Sequence, residues 1–479
     1  MVRYGYPEVV IPQIASTADI SAVYTHEEAC SEERDLDASV KYALQRVVKA
    51  PAASVAGAAG IEAAASPKAE PSGGPARPSP VALVQLWGNT LYHIDDLPMD
   101  ARIPGEVPPV YTSFRKLAEK NCKVRAPLAA PSAGDLRPGP DGIERLATGA
   151  VGHTGEIERA VAAGSGGWGG LPSLEQLGVG LLPGMQLQGS EAVGASDARA
   201  PLEAAAGESK VEAVTGLLPS GPSADSLVAA GWRDRRSVLP FEGGETAGLA
   251  RLRGWIWEGD HLKEYKETRN GMVGGEYSSK FSPWLAFGCL SPRLIHAEVR
   301  RYERERVENT STYWLLFELI WRDFFRFSSI AWGSSLFQLS GPRDADLSKS
   351  PRLWKRDPAL FRAWAQGKTG YPFVDANMRE LLQSGFMSNR GRQNVASFFI
   401  KDMEMDWRLG AEWFEALLID HDPGANYGNW TYQAGVGSDP REDRYFLIPK
   451  QSRQYDGKGA FMRHWLSKET AGWSQSDLH

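Results

Sequence analysis

Apolar positions change their spacing along this chain. Near the N-terminus they fall in short β-branched runs: Ile20 to Thr25 (ISAVYT) and Val81 to Trp87 (VALVQLW) predict strands, and Val9 to Ile11 a short third one. Between the first two, Leu36, Val40, Leu44 and Val47 repeat at helical spacing. They follow Ser31, Glu32 and Glu33, a helix start whose hydroxyl and early carboxylates complement unpaired first-turn amides. With a further helix over Tyr111 to Lys120, this is a strand, helix, strand unit, about half of a doubly wound domain with its usual five or so parallel strands.

From about Glu245 amphipathic helices follow one another. Ser291-Pro292 opens one with Leu294, Ile295, Val299 and Tyr302 on its inner face, and Gly385 closes another. Tyr313 to Phe327 (YWLLFELIWRDFFRF) is apolar on nearly all sides, which predicts the central helix of a bundle. Its polar exceptions are Glu318, Arg322, Asp323 and Arg326. A carboxylate at Glu318 is costly there unless it lies at the bundle surface, pairs with Arg322 four residues on, or faces a cavity.

Composition divides the chain the same way. Of 16 tryptophans, only Trp87, Trp168 and Trp232 precede residue 250, so the large core belongs to the C-terminal part. Ala50 to Pro80 is mostly Ala, Gly, Pro and Ser, and between Ala126 and Gly231 the single aromatic residue is Trp168. Such segments bury too little apolar surface to offset their ordering entropy, which predicts a disordered insert at 50–80 and a low-complexity linker at 126–240. The domains expected are thus 1–125 and 241–479. Net charge is −6 overall. The acidic excess sits before residue 250 and the part after it is slightly basic, which permits an anionic partner there. Cys30, Cys122 and Cys289 are too scattered for a disulfide framework or a cysteine zinc site. The apolar runs are too short for a membrane span, so a soluble chain is expected.

Four segments carry a specific resemblance: YSSKFSPWLAFGCLSP from Tyr277, FELIWRDFFRF from Phe317, GKTGYPFVDANMRELLQSGFMSNRGRQNVASFFIKD from Gly367, and DHDPGANYGNWTYQAGVGSDPREDRYFLIP from Asp420. Together with RYGYPEVV, ISAVYTHEEACSEE and QLWGNTLYHIDDLP, they closely resemble the photolyase and cryptochrome family, in its DASH branch. The fold this implies is α/β plus all-α: a Rossmann-like antenna domain, here lacking its first two strands, before a helical FAD-binding domain.

The resemblance implies FAD with its pyrophosphate on the turn Ser278, Ser279, Lys280, Phe281 and Ser282, near Tyr265. Arg392 and Asp420 form a charge couple near the flavin, His421 sits in the same turn, Asp422 lies near the ring's carbonyl edge, and Asn426 lies beside the ring nitrogen that gains a proton on reduction. Trp430, Trp407 and Trp354 match an electron-transfer chain. Glu318, Trp321, Arg322 and Asn389 match positions around a flipped pyrimidine dimer, while Gln393 and Tyr432 replace bulkier apolar residues in a way that goes with lesions in single-stranded DNA. The implied activity is a deoxyribodipyrimidine photolyase-type lyase acting on damaged DNA, as a monomer. A folate antenna, 5,10-methenyltetrahydrofolate, with Glu28 as a contact, is implied too, as is a chloroplast or mitochondrial location. The residues leave open a photoreceptor that binds DNA or RNA without repair, or a truncated inactive member.

Overall fold

The computed structural model describes residues 6–17, 20–47, 80–129, 234–345, 347–349, 353–438, 445–467, 469, 471–474 and 476–478. The described residues fall into two compact units, one from those within 1–28 and 32–86, the other from those within 29–31, 87–129 and 234–479. The predicted insert at 50–80, apart from Pro80, and most of the predicted linker at 126–240 lie outside the described residues.

In the first unit, α1 (Pro7–Thr17) and β1 (Ala22–His26) are followed by α2 (Ser31–Gln45) and β2 (Ala82–Leu86). The strands pair in parallel, with Ala22 opposite Ala82 and His26 opposite Leu86. Parallel neighbours need a crossover, and α2 lies on it. Val40 and Leu44 of α2 bury against Ala15 of α1 and against Val81. The strand expected at Val9 to Ile11 is a correction, because these residues belong to α1. Pro7 opens that helix without wasting an N–H, and Ile11 and Ala15 meet the core at helical spacing, so packing overrides the β-branched run. Among the described residues the sheet has these two strands, so the wider Rossmann-like sheet is not seen.

The second unit is helical. Its elements are α3 (Tyr111–Asn121), α4 (Glu245–Arg253), α5 (Tyr265–Thr268), α6 (Ser282–Ala286), α7 (Pro292–Glu305), α8 (Thr310–Trp332), α9 (Pro358–Ala365), α10 (Pro372–Ser384), α11 (Asn389–Ser397), α12 (Trp407–Leu417), α13 (Pro423–Ala434), α14 (Ile448–Tyr455) and α15 (Ala460–Trp465). Six of them, α6, α7, α9, α10, α13 and α14, carry proline in the first turn. Its preset φ and missing N–H suit that position. Gly385 ends α10 with φ 67°.

The apolar run predicted as a central helix is α8, which buries Leu315, Leu319, Phe324 and Phe327 among others. A reciprocal capping box starts it: Asn309 Oδ1 accepts from Ser311 and Thr312 backbone N–H, and the Thr312 hydroxyl accepts from Asn309 N–H. One core gathers Phe324 and Phe327 with Phe114, Trp255, Ile295 and Val299. A second is built from Trp364, Phe373, Phe399, Trp407, Trp413 and Trp430. Asp323, fully buried on α8, accepts the Leu91 N–H at 2.9 Å and the Tyr92 N–H at 2.8 Å, which fixes the segment before α3 onto the bundle. No helix among the described residues is long and apolar enough to cross a membrane.

Candidate functional site

The N-termini of α11 and α13 converge on a cavity of about 120 Å³ lined by Asn389, Arg392, Gln393, Asp420, His421, Asp422, Asn426, Trp430 and Gln433, among others. Eight of these nine were singled out from sequence; Gln433 was not. Arg392 donates to both oxygens of the buried Asp420 carboxylate, at 3.0 and 2.8 Å, and through Nε to Met387 O. Burial would push the Asp422 carboxyl up, yet Arg326 at 3.7 Å and Arg322 at 3.9 Å bring it below its ordinary range. The same side chain caps α13, accepting from Ala425 N–H. Asn426 donates its amide to Ala411 O at 3.0 Å, which fixes which end of the amide is nitrogen. His421, which chain alternation could have pointed outward, lines the cavity instead.

These residues fit a polar, hydrogen-bonding ring system such as a flavin. Among the described residues the His421 Nδ1 and Gln433 Oε1 atoms are buried without a hydrogen-bond partner, and buried polar atoms in that state call for one.

The three tryptophans share one core. Trp430 is buried and lies against α12 where that helix carries Gly410: a Cβ there would sit 2.2 Å from Trp430 Cη2. Trp407 is the first residue of α12, and its indole N–H donates to Leu339 O at 3.2 Å. Trp354 is half-buried against the same core, with φ at 49°, a left-handed conformation that costs a bulky residue about 1–2 kcal/mol. A backbone bridge holds it there: Lys355 N–H donates to Glu404 O at 2.7 Å, and Asp406 N–H to Lys355 O at 2.9 Å. Trp354 and Trp407 each stand one residue from that bridge.

The turn from Ser278 is organised from behind by Arg251, which sequence reading missed. Its guanidinium donates to Ser279 O, Ser278 O and Gly275 O. Lys280, with φ at 54°, turns its side chain inward, so that Nζ donates to Gly275 O and lies 3.2 Å from the Tyr277 ring centroid. Burial, then the Arg251 charge, pulls its ammonium down to about 7. Phe281 and Tyr265 are core residues, both edge-on to Trp255. Ser279 is buried, and Ser282 begins α6.

Glu318 is paired, but its partner is not Arg322. Arg269, just past α5, lies 2.7 Å away. Arg322 instead donates to the backbone carbonyl and side chain of Asn89 and to Leu285 O. Burial raises the Glu318 carboxyl, and Arg269 opposes that rise. Trp321 stacks on Tyr111 with ring centroids 3.6 Å apart, and Tyr432 meets it edge-on at 6.2 Å. Gln393 accepts from Arg390 at 2.8 Å, and Arg390 also reaches Asn270 Oδ1. Asn389 stands exposed at the cavity rim. Glu28 lies two residues past β1, in the first unit. Arg269 follows Tyr265 by four residues, the one local hint to it; nothing local pointed to Arg251, Gly410 or Tyr111.

Residues 314–479 match the family model described as the FAD binding domain of DNA photolyase. A protein of Oryza sativa subsp. japonica named "Cryptochrome DASH, chloroplastic/mitochondrial" is 43% identical over 97% of this chain and 63% of its own length. A "Cryptochrome DASH" of Synechocystis sp. is 41% identical over 97% of this chain and 72% of its own. The crystal structure of a Synechocystis cryptochrome superposes with a TM-score of 0.71 at 39% identity, covering 99% of this chain and 74% of that one. The chain thus spans just under two thirds of the length of the plant relative.

Proposed function

The chain belongs to the cryptochrome DASH family, and on that premise we propose that it is a blue-light flavoprotein acting as a photolyase-type lyase on cyclobutane pyrimidine dimers, preferably in single-stranded DNA. The observation that carries this reading is the convergence of the Arg392–Asp420 pair, Asp422, Asn426 and Trp430 on one cavity with orphaned polar atoms. FAD bound there supplies light-driven electron donation.

The protein's own groups do the rest. Arg392 pairs with both oxygens of Asp420, which holds that side chain in the buried wall where it can orient a donor facing it. Asn426, anchored by Ala411 O, presents a neutral amide where a ring nitrogen changes protonation. An aspartate would add a charge at the same place. Glu318, kept close to its Arg269 partner, accepts hydrogen bonds from a flipped base, and the Trp321 indole offers a stacking surface. Tyr432 and Gln393 leave that clamp polar, which suits a lesion that single-stranded DNA presents without an unstacking cost of a few kcal/mol. Trp430, Trp407 and Trp354 would refill the flavin site with electrons from outside. Ser278, Ser279 and Ser282 supply hydroxyls for the pyrophosphate. Glu28 would contact a folate antenna in the first unit, and the organelle of the plant relatives would be the location.

The test is to purify the chain, record its visible spectrum, and illuminate it with blue light and a reductant in the presence of a thymine-dimer oligonucleotide, single-stranded or duplex. Bound flavin with faster repair of the single strand is expected. Bound flavin without repair of either substrate would overturn the lyase reading. One observation favours a second reading, light-dependent regulation without repair: Tyr111 already occupies one face of Trp321. On that reading light changes nucleic-acid affinity, and Glu318→Ala leaves the response intact.

A further inference from the structure

One aromatic contact of the tryptophan chain leads sideways. Tyr427 of α13 is 8% exposed and stands edge-on to Trp407, with ring centroids 6.3 Å apart. Its far side is closed by Phe337, edge-on at 4.7 Å. The Tyr427 hydroxyl donates to Glu415 Oε2 at 2.7 Å. The Glu415 side chain is 46% exposed, so it joins a buried phenol to bulk water.

These facts differ for the two rings. Trp407 is fully buried and its indole N–H donates to the Leu339 carbonyl, a poor base. Once oxidised it therefore keeps its proton and stays a strongly oxidising cation. A phenol is hard to oxidise while it keeps its proton, because its radical cation is a strong acid. With a carboxylate already in hydrogen-bond contact, electron and proton can leave Tyr427 together.

We infer that Tyr427 is a proton-coupled electron donor to Trp407, with Glu415 as the proton acceptor. The step balances: one electron passes from Tyr427 to the Trp407 radical cation, the O–H bond breaks, and its proton adds to Glu415 Oε2. Neutral Trp407, a tyrosyl radical and a protonated Glu415 result. Oxidised FAD held by the cavity that Trp430 lines would, under light, supply the oxidant for the chain, so this inference rests on the functional reading above. The consequence is a long-lived charge separation, because a neutral tyrosyl radical cannot be refilled until a proton returns.

The test uses the full chain with FAD and time-resolved electron paramagnetic resonance, with tyrosine ring-deuterated in one sample to identify the radical. A tyrosyl signal that narrows on deuteration is expected in the natural chain and absent from Tyr427→Phe. In that variant a tryptophanyl signal should persist in its place. Glu415→Gln keeps a hydrogen-bond acceptor but removes the base, and tyrosyl formation should slow by about tenfold or more, equivalent to a modest rise in barrier. A tryptophanyl radical whose yield and decay are the same in the natural chain and in Tyr427→Phe would overturn the inference. If illumination gives no protein radical, the flavin reading fails instead, and the same variants oxidised by a ruthenium polypyridine photo-oxidant decide the question for Tyr427.

Discussion

Arg269 and Glu318 form an ion pair at 2.7 Å in which neither side chain is more than 28% exposed. The pair joins a residue just past a one-turn helix to the middle of α8, and Arg269 also lies over the Trp314 ring. Because burial raises the Glu318 carboxyl and Arg269 opposes it, Arg269→Ala should raise that carboxyl further. It should also destabilise the chain by about 1–3 kcal/mol, since it removes the cation paired with a half-buried carboxylate. Infrared difference spectra against Glu318→Gln would report the protonation, and urea denaturation the stability.

Asp323 and Glu380 predict a pH dependence. Burial pushes their carboxyls up to about 7 and about 8, respectively. Between about pH 4 and 7 the folded chain therefore holds protons that the unfolded chain has released, and these two groups make stability fall as pH rises through that range. Lys280, drawn down to about 7, acts with the opposite sign above neutrality: the folded chain has lost a proton that the unfolded lysine still carries. The buried His296 imidazole, drawn down to about 4, works the other way over the same window, so the carboxyl effect is read as a difference between two chains: from pH 5 to 7 the urea midpoint of the natural chain should change in the falling direction relative to that of Asp323→Asn. That variant should also lower stability at every pH by stranding the Leu91 or Tyr92 N–H.

Gly410 makes room for Trp430. Gly410→Ala would put a methyl group 2.2 Å from the position of Trp430 Cη2, so the indole must shift. A cost of about 2 kcal/mol is expected, with reduced flavin content because Trp430 also lines the cavity. Thermal denaturation and the flavin-to-protein ratio check the two effects separately.

Asn426→Asp would set a carboxylate oxygen against the Ala411 carbonyl, where the amide now donates at 3.0 Å. A loss of about 2 kcal/mol is expected at pH 7. Protonation gives the side chain a donor again, so the penalty should shrink at pH 5. Equal penalties at the two pH values would show that the hydrogen bond to Ala411 is not the cause.

Much of the helical unit could be read from local pattern. Tyr313 to Phe327 announced α8 by being apolar all round, Ser291-Pro292 announced α7, and Gly385 ended α10, because capping and periodicity act within a few residues. The residues gathered around Arg392 and Asp422 were legible through motif resemblance. What escaped was partnership across long sequence separations. Arg322 stands at ideal helical spacing from Glu318, yet its guanidinium is taken by Asn89 and Leu285, and the partner, Arg269, lies just past α5. Lys280 looked like a cation for phosphate, but the left-handed turn at that residue sends it inward. Val9 to Ile11 had strand-forming side chains, and a neighbouring helix decided otherwise. For Arg322 and for Val9 to Ile11 a contact distant in sequence settled what the local pattern left open; for Lys280 it was the backbone turn.

The segments on either side of residues 130–233 are fastened separately to the helical unit. On one side Asp323 grips Leu91 and Tyr92, and Tyr111 bonds Phe317 O. On the other the Arg236 guanidinium stacks on Trp465, and its carbonyl meets His464. Each fastening is made by residues outside that stretch. A chain severed within that stretch would yield two polypeptides that still carry complementary grips, so reassembly from co-expressed halves, and wide variation in the length between them, are natural consequences of this architecture.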